Sequence, residues 1–84
     1  MPKIHVIKNY NIYMYYQDHQ PPHVHIRYKN TAIASITIND IVVMEGVIPM
    51  TVDGEIRNWI ISNRRYLLKT WEKAINGEPI KEKE

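Results

Sequence analysis

The first half of the chain alternates short β-forming segments with turn-forming residues. Strands are predicted over residues 3–7, 12–17, 23–28 and 31–38, and a fifth, shorter strand over residues 41–45. Turns are predicted over residues 9–11, 29–30 and 39–40. The segment Asp18–Pro22 interrupts the pattern, because proline offers no backbone N–H to a sheet. This spacing favours an antiparallel meander.

The second half carries apolar residues at helical spacing. The residues that share one stripe are Val52, Ile56, Trp59, Ile60, Leu67, Trp71 and Ala74. Pro49 fits a helix start, and Gly77 followed by Pro79 fits a helix end. One long helix is therefore predicted over about residues 50–76, followed by a frayed tail over residues 78–84.

The order of these elements predicts the fold class. Strands that precede a single amphipathic helix indicate an α+β protein. We expect an antiparallel sheet of four to five short strands, with one long C-terminal helix packed on one face. A chain of 84 residues has room for one core, so a single domain over residues 1–84 is expected. The sheet face that the helix leaves uncovered is then free for a ligand or partner.

Composition narrows the class of protein without assigning a function. The absence of cysteine excludes a disulfide scaffold, a thiolate zinc finger and a cysteine nucleophile, and favours a reducing cytoplasm. The net charge of +2 is too small to argue for nucleic-acid binding by itself. No apolar run approaches the roughly 18–20 residues of a membrane span. We therefore expect a cytoplasmic protein with no membrane partner.

The histidines are unevenly distributed, since three of the four fall within seven residues. In an extended strand, alternate side chains share one side, and the side expected to be open carries His23, His25, Arg27 and Lys29. If Gln17 pairs with His23, then Tyr15 opposes His25 and Tyr13 opposes Arg27. The expected open patch is then Tyr13, Tyr15, His23, His25 and Arg27, with Asp18 and His19 at its rim.

Metal binding is one interpretation of this patch. His23 and His25 alternate on one strand face, and His19 or Asp18 lies in the adjoining loop. Three such ligands and an open position suit a zinc-type ion. The pattern does not favour a metal over the alternatives, because histidines two residues apart are common on strands that bind none.

Metal-free phosphoryl transfer on RNA is the second interpretation. One histidine would act as base and another as acid, while Arg27 stabilises the phosphate. Asp18 would adjust the protonation of the histidines, and Tyr13 or Tyr15 would stack on a base, with Lys29 as a further substrate contact. The third interpretation is structural: Asp18 bonds to His19, and the Pro21–Pro22 turn holds the loop rigid.

The helix carries a second candidate surface. Arg57 and Arg64 are seven residues apart and share a stripe, and the apolar residues beside it are Ile61, Leu68 and Ile75. The two arginines could extend over the sheet edge and keep their charges in water. The stripe could instead form a groove for a protein partner or a second copy of the chain.

Several segments resemble the bacterial family numbered 4160 among the domains of unknown function. They are Met1-Pro2-Lys3-Ile4, Ile12-Tyr13-Met14-Tyr15, Asp18-His19-Gln20-Pro21-Pro22-His23-Val24-His25-Ile26-Arg27-Tyr28, Glu45-Gly46, Ile48-Pro49, Trp59, Trp71-Glu72 and Gly77-Glu78-Pro79. The histidine segment is the most specific of them. The resemblance implies a small stand-alone protein, encoded beside a protein of family 2442 in an arrangement like a type II toxin–antitoxin module.

By that resemblance the chain is the toxin, and a family 2442 protein is its antitoxin. The motif covers Asp18, His19, Pro21, Pro22, His23 and His25, with Arg27 and Tyr28 following, but it implies no established mechanism. We therefore expect a toxin that acts on RNA or another nucleic acid through the strand face of histidines, arginine and tyrosines, by ribonuclease-like cleavage if it is an enzyme. The alternative is a non-enzymatic protein-binding module that sequesters a partner. No cofactor is favoured, and a zinc-type divalent metal is the alternative.

Overall fold

Five antiparallel strands in chain order and two helices make up the computed structural model, which describes residues 2–81. The strands are β1 (Lys3–Ile7), β2 (Tyr10–Tyr13), β3 (His23–Tyr28), β4 (Thr31–Thr37) and β5 (Val43–Gly46). The helices are α1 (Met50–Ser62) and α2 (Arg64–Ile75). The expected α+β class and antiparallel sheet are confirmed. Residue 1 of the opening segment and residues 82–84 of the expected tail lie outside the described residues.

Two-residue turns join β1 to β2 and β3 to β4. Lys8 and Asn9 have φ angles of 46° and 69°, and Lys29 has a φ angle of 55°. Positive φ at these positions matches the right-handed twist of the flanking strands. The first turn lies one residue earlier than the predicted start at Asn9, so β2 already begins at Tyr10.

β2 ends four residues earlier than predicted, which corrects the expected register. Tyr13 is its last residue, and Tyr13 rather than Tyr15 opposes His25. Asn11, not Tyr13, opposes Arg27. The chain leaves the sheet after Tyr13 because Gln17 adopts a φ of 52° and donates its backbone N–H to the Ala74 oxygen of α2, at 3.1 Å. Residues 14–22 are consequently a loop rather than the second half of a strand.

The prediction of a single long helix is wrong, because Asn63 separates α1 from α2. The backbone of Asn63 has φ −117° and ψ 21°, outside the helical range, and its side-chain amide donates to the Trp59 oxygen at 2.9 Å. A straight helix over residues 50–75 would be about 39 Å long at a rise of about 1.5 Å per residue. The longest dimension of the protein is 34 Å. With the break, both helices contribute buried residues to one core.

Both helices pack against one face of the sheet, as expected. Val24 and Ile26 of β3 are fully buried there, as the alternation predicts. The buried residues of the helices are Val52, Ile56, Ile60, Leu67, Trp71 and Ala74, and they join the strand residues in one core. Within residues 2–81, neither helix has the length and apolar character that crossing a bilayer requires.

The segment after α2 returns to the body of the protein. The backbone N–H of Glu78 donates to the Lys73 oxygen at 2.8 Å, and that of Ile80 donates to the Tyr16 hydroxyl at 3.1 Å. The Tyr66 hydroxyl donates to the Lys81 oxygen at 2.9 Å. Residues 78–81 of the expected tail therefore contact both α2 and the loop of residues 14–22, which we call the histidine loop.

Replacing glycines with alanine should have opposite effects at two positions. At Gly46 the φ angle is 73° and an added Cβ would overlap the Ile33 carbonyl, so Gly46→Ala should lower the free energy of unfolding by about 3 kcal/mol. Gly54 lies in α1 with open space around it, so Gly54→Ala should raise that free energy by about 0.5–1 kcal/mol. Urea unfolding measures both.

Gly77→Ala is the matched control for the strain at Gly46. Gly77 has the same φ of 73° but nothing within 4 Å of an added Cβ. Only the cost of holding alanine at a positive φ remains, so Gly77→Ala should lower the free energy of unfolding by about 1–2 kcal/mol. Equal losses at Gly46 and Gly77 would show that the overlap with Ile33 does not contribute.

Candidate functional site

The loop of residues 14–22 is held at three points above the start of β3. The backbone N–H of Met14 donates to the Pro2 oxygen at 3.2 Å, and that of Gln17 donates to α2. The Pro22 oxygen accepts the N–H of Ile38, just after β4, at 3.0 Å. Because both ends and the middle are anchored, the side chain of Asp18 is placed over the histidines of β3.

Three histidine rings converge on the carboxylate of Asp18. His25 Nε2 lies 2.8 Å and His23 Nε2 3.0 Å from the same oxygen, Asp18 Oδ2. His19 Nε2 lies 3.7 Å from Oδ1, which also accepts the backbone N–H of His19 at 2.9 Å. The structure therefore brings together Asp18, His19, His23 and His25, the four polar residues that the motif singled out.

His23 is buried, contrary to the expectation that it lies on the open face. Its ring is 1% exposed, because the loop folds over it and the Trp71 ring of α2 lies at 5.3 Å between centroids. His19 stacks on it at 4.9 Å. His23 Nδ1 lies 2.7 Å from the Pro21 oxygen. A carbonyl oxygen only accepts, so Nδ1 carries the hydrogen and Nε2 is directed at Asp18.

Asp18 is ionised at neutral pH despite being only 14% exposed. Burial raises the pKa of its carboxyl, but the hydrogen bond from His25, the backbone N–H of His19 and the charges of His23 and His25 together lower it below its ordinary range. The site therefore holds a fixed negative charge surrounded by imidazole nitrogens.

His25 is the histidine that faces the open side of the sheet. Its side chain is 22% exposed, and its ring stacks on Tyr15 with centroids 4.0 Å apart and an interplanar angle of 15°. Tyr15 reaches this position from the loop, although it does not pair with His25. Tyr13 opposes His25 in β2, and the guanidinium of Arg27 lies 5.8 Å from the centre of its ring. These four side chains form the open-face patch.

Lys29 does not extend this patch. β3 ends at Tyr28, so the alternation that placed Lys29 beside Arg27 stops one residue earlier. The Lys29 ammonium lies 5.6 Å from the Tyr28 ring instead. Arg27 Nη2 donates to the Asn30 oxygen at 2.9 Å, which holds its guanidinium near the turn.

Ser35 and Glu45 lie on the same open face of the sheet as His25. The sequence pattern did not identify either of them as a site residue. His25 opposes Ser35 in β4, and Ser35 opposes Glu45 in β5. With Ala32, Ile33, Ala34 and Gly46, these residues line a shallow pocket of about 190 Å³. The alternation within β4 and β5, once combined with the strand order, would have identified both positions.

The arginines of the helix surface bind the loop between β4 and β5. Arg57 donates to both oxygens of Asp53, at 3.0 and 2.9 Å, and to the Ile41 oxygen at 2.8 Å. Arg64 donates to the Ile38 and Asn39 oxygens at 3.2 and 3.3 Å. Of the two interpretations of this stripe, these contacts fit arginines that extend over the sheet edge rather than a groove for a partner.

A groove runs between α2 and Pro22. Two residues of the predicted partner-binding stripe, Arg64 and Leu68, line it. It has a volume of about 640 Å³ and is lined by Pro22, Arg64, Arg65, Leu68, Lys69, Trp71 and Glu72. Ile61 is 52% exposed and Ile75 is half-buried, and neither lines it. The indole Nε1 of Trp71 is buried with no hydrogen-bond partner among the described residues.

The comparison with known families agrees with these motifs. The family described as a domain of unknown function, DUF4160, matches residues 9–72, which include the histidine loop, the sheet from the end of the first turn, and α2 as far as Glu72. The chain belongs to the DUF4160 family. No curated protein and no solved structure matches it. The DUF4160 description names no activity, so the function has to be argued from the site.

Removing His23 should destabilise this DUF4160 protein more than removing His25. His23→Ala leaves a cavity beside Trp71 and an unpaired Pro21 oxygen, so the free energy of unfolding should fall by about 2–4 kcal/mol. His25→Ala, at a partly exposed position, should cost about 1 kcal/mol. Urea unfolding of both variants measures the difference. Equal losses would mean that His23 is not the buried support of the loop.

Proposed function

We propose that this DUF4160 protein is the toxin of a type II toxin–antitoxin module in the cytoplasm, and that it cleaves RNA at the open face of its sheet. The observation that carries the proposal is the placement of His25. Its ring is bonded to the Asp18 carboxylate, stacked on Tyr15 and open to solvent on one side. An oriented histidine beside an ionised carboxylate is a common arrangement at catalytic sites.

Arg27 and the two tyrosines supply the contacts that an RNA substrate requires. Arg27 shares the strand face of His25 and carries a permanent charge that suits a phosphate. The rings of Tyr13 and Tyr15 lie 6.5 Å apart beside this line and offer ring faces on which bases stack. Charge, aromatic surface and a reactive group therefore lie on one accessible face.

The roles of the histidines differ from those suggested by the sequence. Since His23 is 1% exposed, it cannot exchange protons with a substrate directly, and it supports Asp18 instead. His19 is 64% exposed and contacts the same carboxylate, so it is the second histidine that a substrate can reach. The reactive group therefore lies where His25, Asp18 and His19 meet.

The α2 groove favours a second candidate function, a module that acts by binding protein. Leu68 and Trp71 provide an apolar floor, and Arg65 and Lys69 add positive charge at the rim. A partner segment with apolar and acidic residues is complementary to it. For a toxin, this groove would receive the family 2442 antitoxin; for a binding module, it would receive the sequestered target.

RNA cleavage and growth inhibition should both depend on the open face. His25→Ala and Arg27→Ala should each reduce cleavage of total RNA by purified protein at least tenfold, and both should relieve growth inhibition on expression. Losing an acid–base or charge-stabilising group typically costs that much or more. Lys73→Ala, which removes an exposed charge on α2, is the matched control and should retain full activity.

Leu68→Glu separates the two candidate functions. It places a negative charge in the groove and leaves the open face intact, so a cleaving toxin should keep its ribonuclease activity and lose only its antitoxin. A binding module should show no cleavage and should lose growth inhibition with this substitution. Absence of RNA cleavage by the unsubstituted protein, with or without added divalent ions, would reject the ribonuclease.

A further inference from the structure

The ring nitrogens at Asp18 are arranged as metal ligands are. His23 Nδ1–H donates to the Pro21 oxygen at 2.7 Å, and His19 Nδ1 lies 3.1 Å from the Gln20 oxygen, which likewise only accepts. In both rings the hydrogen is therefore on Nδ1. Metal-bound histidines nearly always donate the nitrogen that does not bind the metal to a carbonyl or carboxylate, which sets the tautomer and turns the lone pair of the other nitrogen toward the ion.

The contact between His23 and Asp18 requires a positive charge. In a neutral His23 ring with its hydrogen on Nδ1, Nε2 has a lone pair, and this lone pair lies 3.0 Å from an ionised carboxylate oxygen. Two acceptors at this distance repel each other unless a proton lies between them or a metal ion is bound by both. His25 Nε2 contacts the same oxygen, so one cation would serve both rings.

We infer that Asp18, His23 and His25 bind one divalent first-row transition metal, of which zinc is the representative. One oxygen or nitrogen atom from each of these three residues lies within 4.8 Å of the others. Ligands at about 2.0–2.2 Å from one zinc ion are at most about 4.4 Å apart, so binding would draw the three side chains slightly closer around the ion. Binding of the metal is argued from the geometry of the side chains alone. A role for the metal in RNA cleavage rests on the proposed ribonuclease function.

The donor set selects the class of metal. Two or three imidazole nitrogens and one carboxylate oxygen suit zinc, iron, nickel or copper. Magnesium and calcium require mostly oxygen ligands, which the cluster does not supply. His23 and Asp18 are shielded by the loop and by Trp71, while His25 lines the open pocket with Ser35 and Glu45. The bound ion would therefore be held from inside and reachable from the substrate face.

Metal binding can be measured without any RNA. Purified protein, free of a histidine tag and treated with chelator, is dialysed against zinc chloride and assayed for bound zinc. We expect one zinc per chain, with excess magnesium chloride failing to compete. His25→Ala and Asp18→Asn should each weaken zinc binding at least tenfold, and His25→Ala costs only about 1 kcal/mol of stability, so the result does not depend on a variant that unfolds.

His5→Phe is the matched control, since His5 is the one histidine outside the cluster. Its ring stacks on Trp59 at 4.4 Å, and phenylalanine preserves that stacking. Zinc binding should be unchanged in this variant. Cobalt chloride gives a second readout, because four-coordinate nitrogen and oxygen ligation produces a visible absorption band that His25→Ala should abolish. Zinc uptake that is equal in wild type, His25→Ala and Asp18→Asn would overturn the inference.

The outcomes separate this inference from the proposed function. RNA cleavage that survives chelator, in a protein that binds no zinc, would reject the metal and support histidine acid–base chemistry. One zinc bound through Asp18 and His25, in a protein that cleaves no RNA, would support the metal site and reject the ribonuclease.

Discussion

The carboxylate of Asp18 is the interaction on which the site depends. Its side chain is only 14% exposed in the loop before β3, and a charge placed there is unfavourable unless it is paired and hydrogen-bonded. Its two oxygens contact the rings of His19, His23 and His25 and one backbone N–H. The loop that leaves the sheet after β2 brings Asp18 over these rings, and its backbone bond from Gln17 to α2 holds it there.

The asymmetry of the fold determines which part of that cluster is accessible. Both helices cover one face of the sheet, and the loop of residues 14–22 covers one end of the other face. What remains open is the stretch that carries His25 and Arg27, with Tyr13 and Tyr15 beside it. Burial and exposure are thus combined within one cluster: His23 is enclosed while His25, two residues later, faces solvent.

Local patterns in the sequence predicted the elements whose conformation is decided locally. The bounds of β1 and β3, the Lys29–Asn30 turn and the start of α1 follow from alternation, turn residues and Pro49. The end of β2 could not be predicted, since it depends on a contact with a distant element, and the break at Asn63 was missed because the apolar stripe continues across it. Gln17 leaves the sheet to bond to α2, and at the break the Asn63 side chain donates back to the Trp59 oxygen.

The candidate site shows the same division between local and distant causes. The spacing of Asp18, His23 and His25 indicated that these residues act together, and they do lie in contact. Alternation also predicted an exposed His23, but Trp71 of α2 and the loop bury it. Strand periodicity states which side a residue faces, and it says nothing of what covers that side.

The geometry also bears on whether the motif is purely structural. A loop cap would require only the bond from the His19 backbone N–H to Asp18. The protein adds two ring nitrogens on the second oxygen, one of them from a fully buried histidine whose Nδ1–H is already bonded. Well-packed apolar residues would stabilise such a position at least as well as a buried polar cluster does. A cluster of this kind, open to solvent at His25, is therefore better explained by chemistry at that residue than by stability.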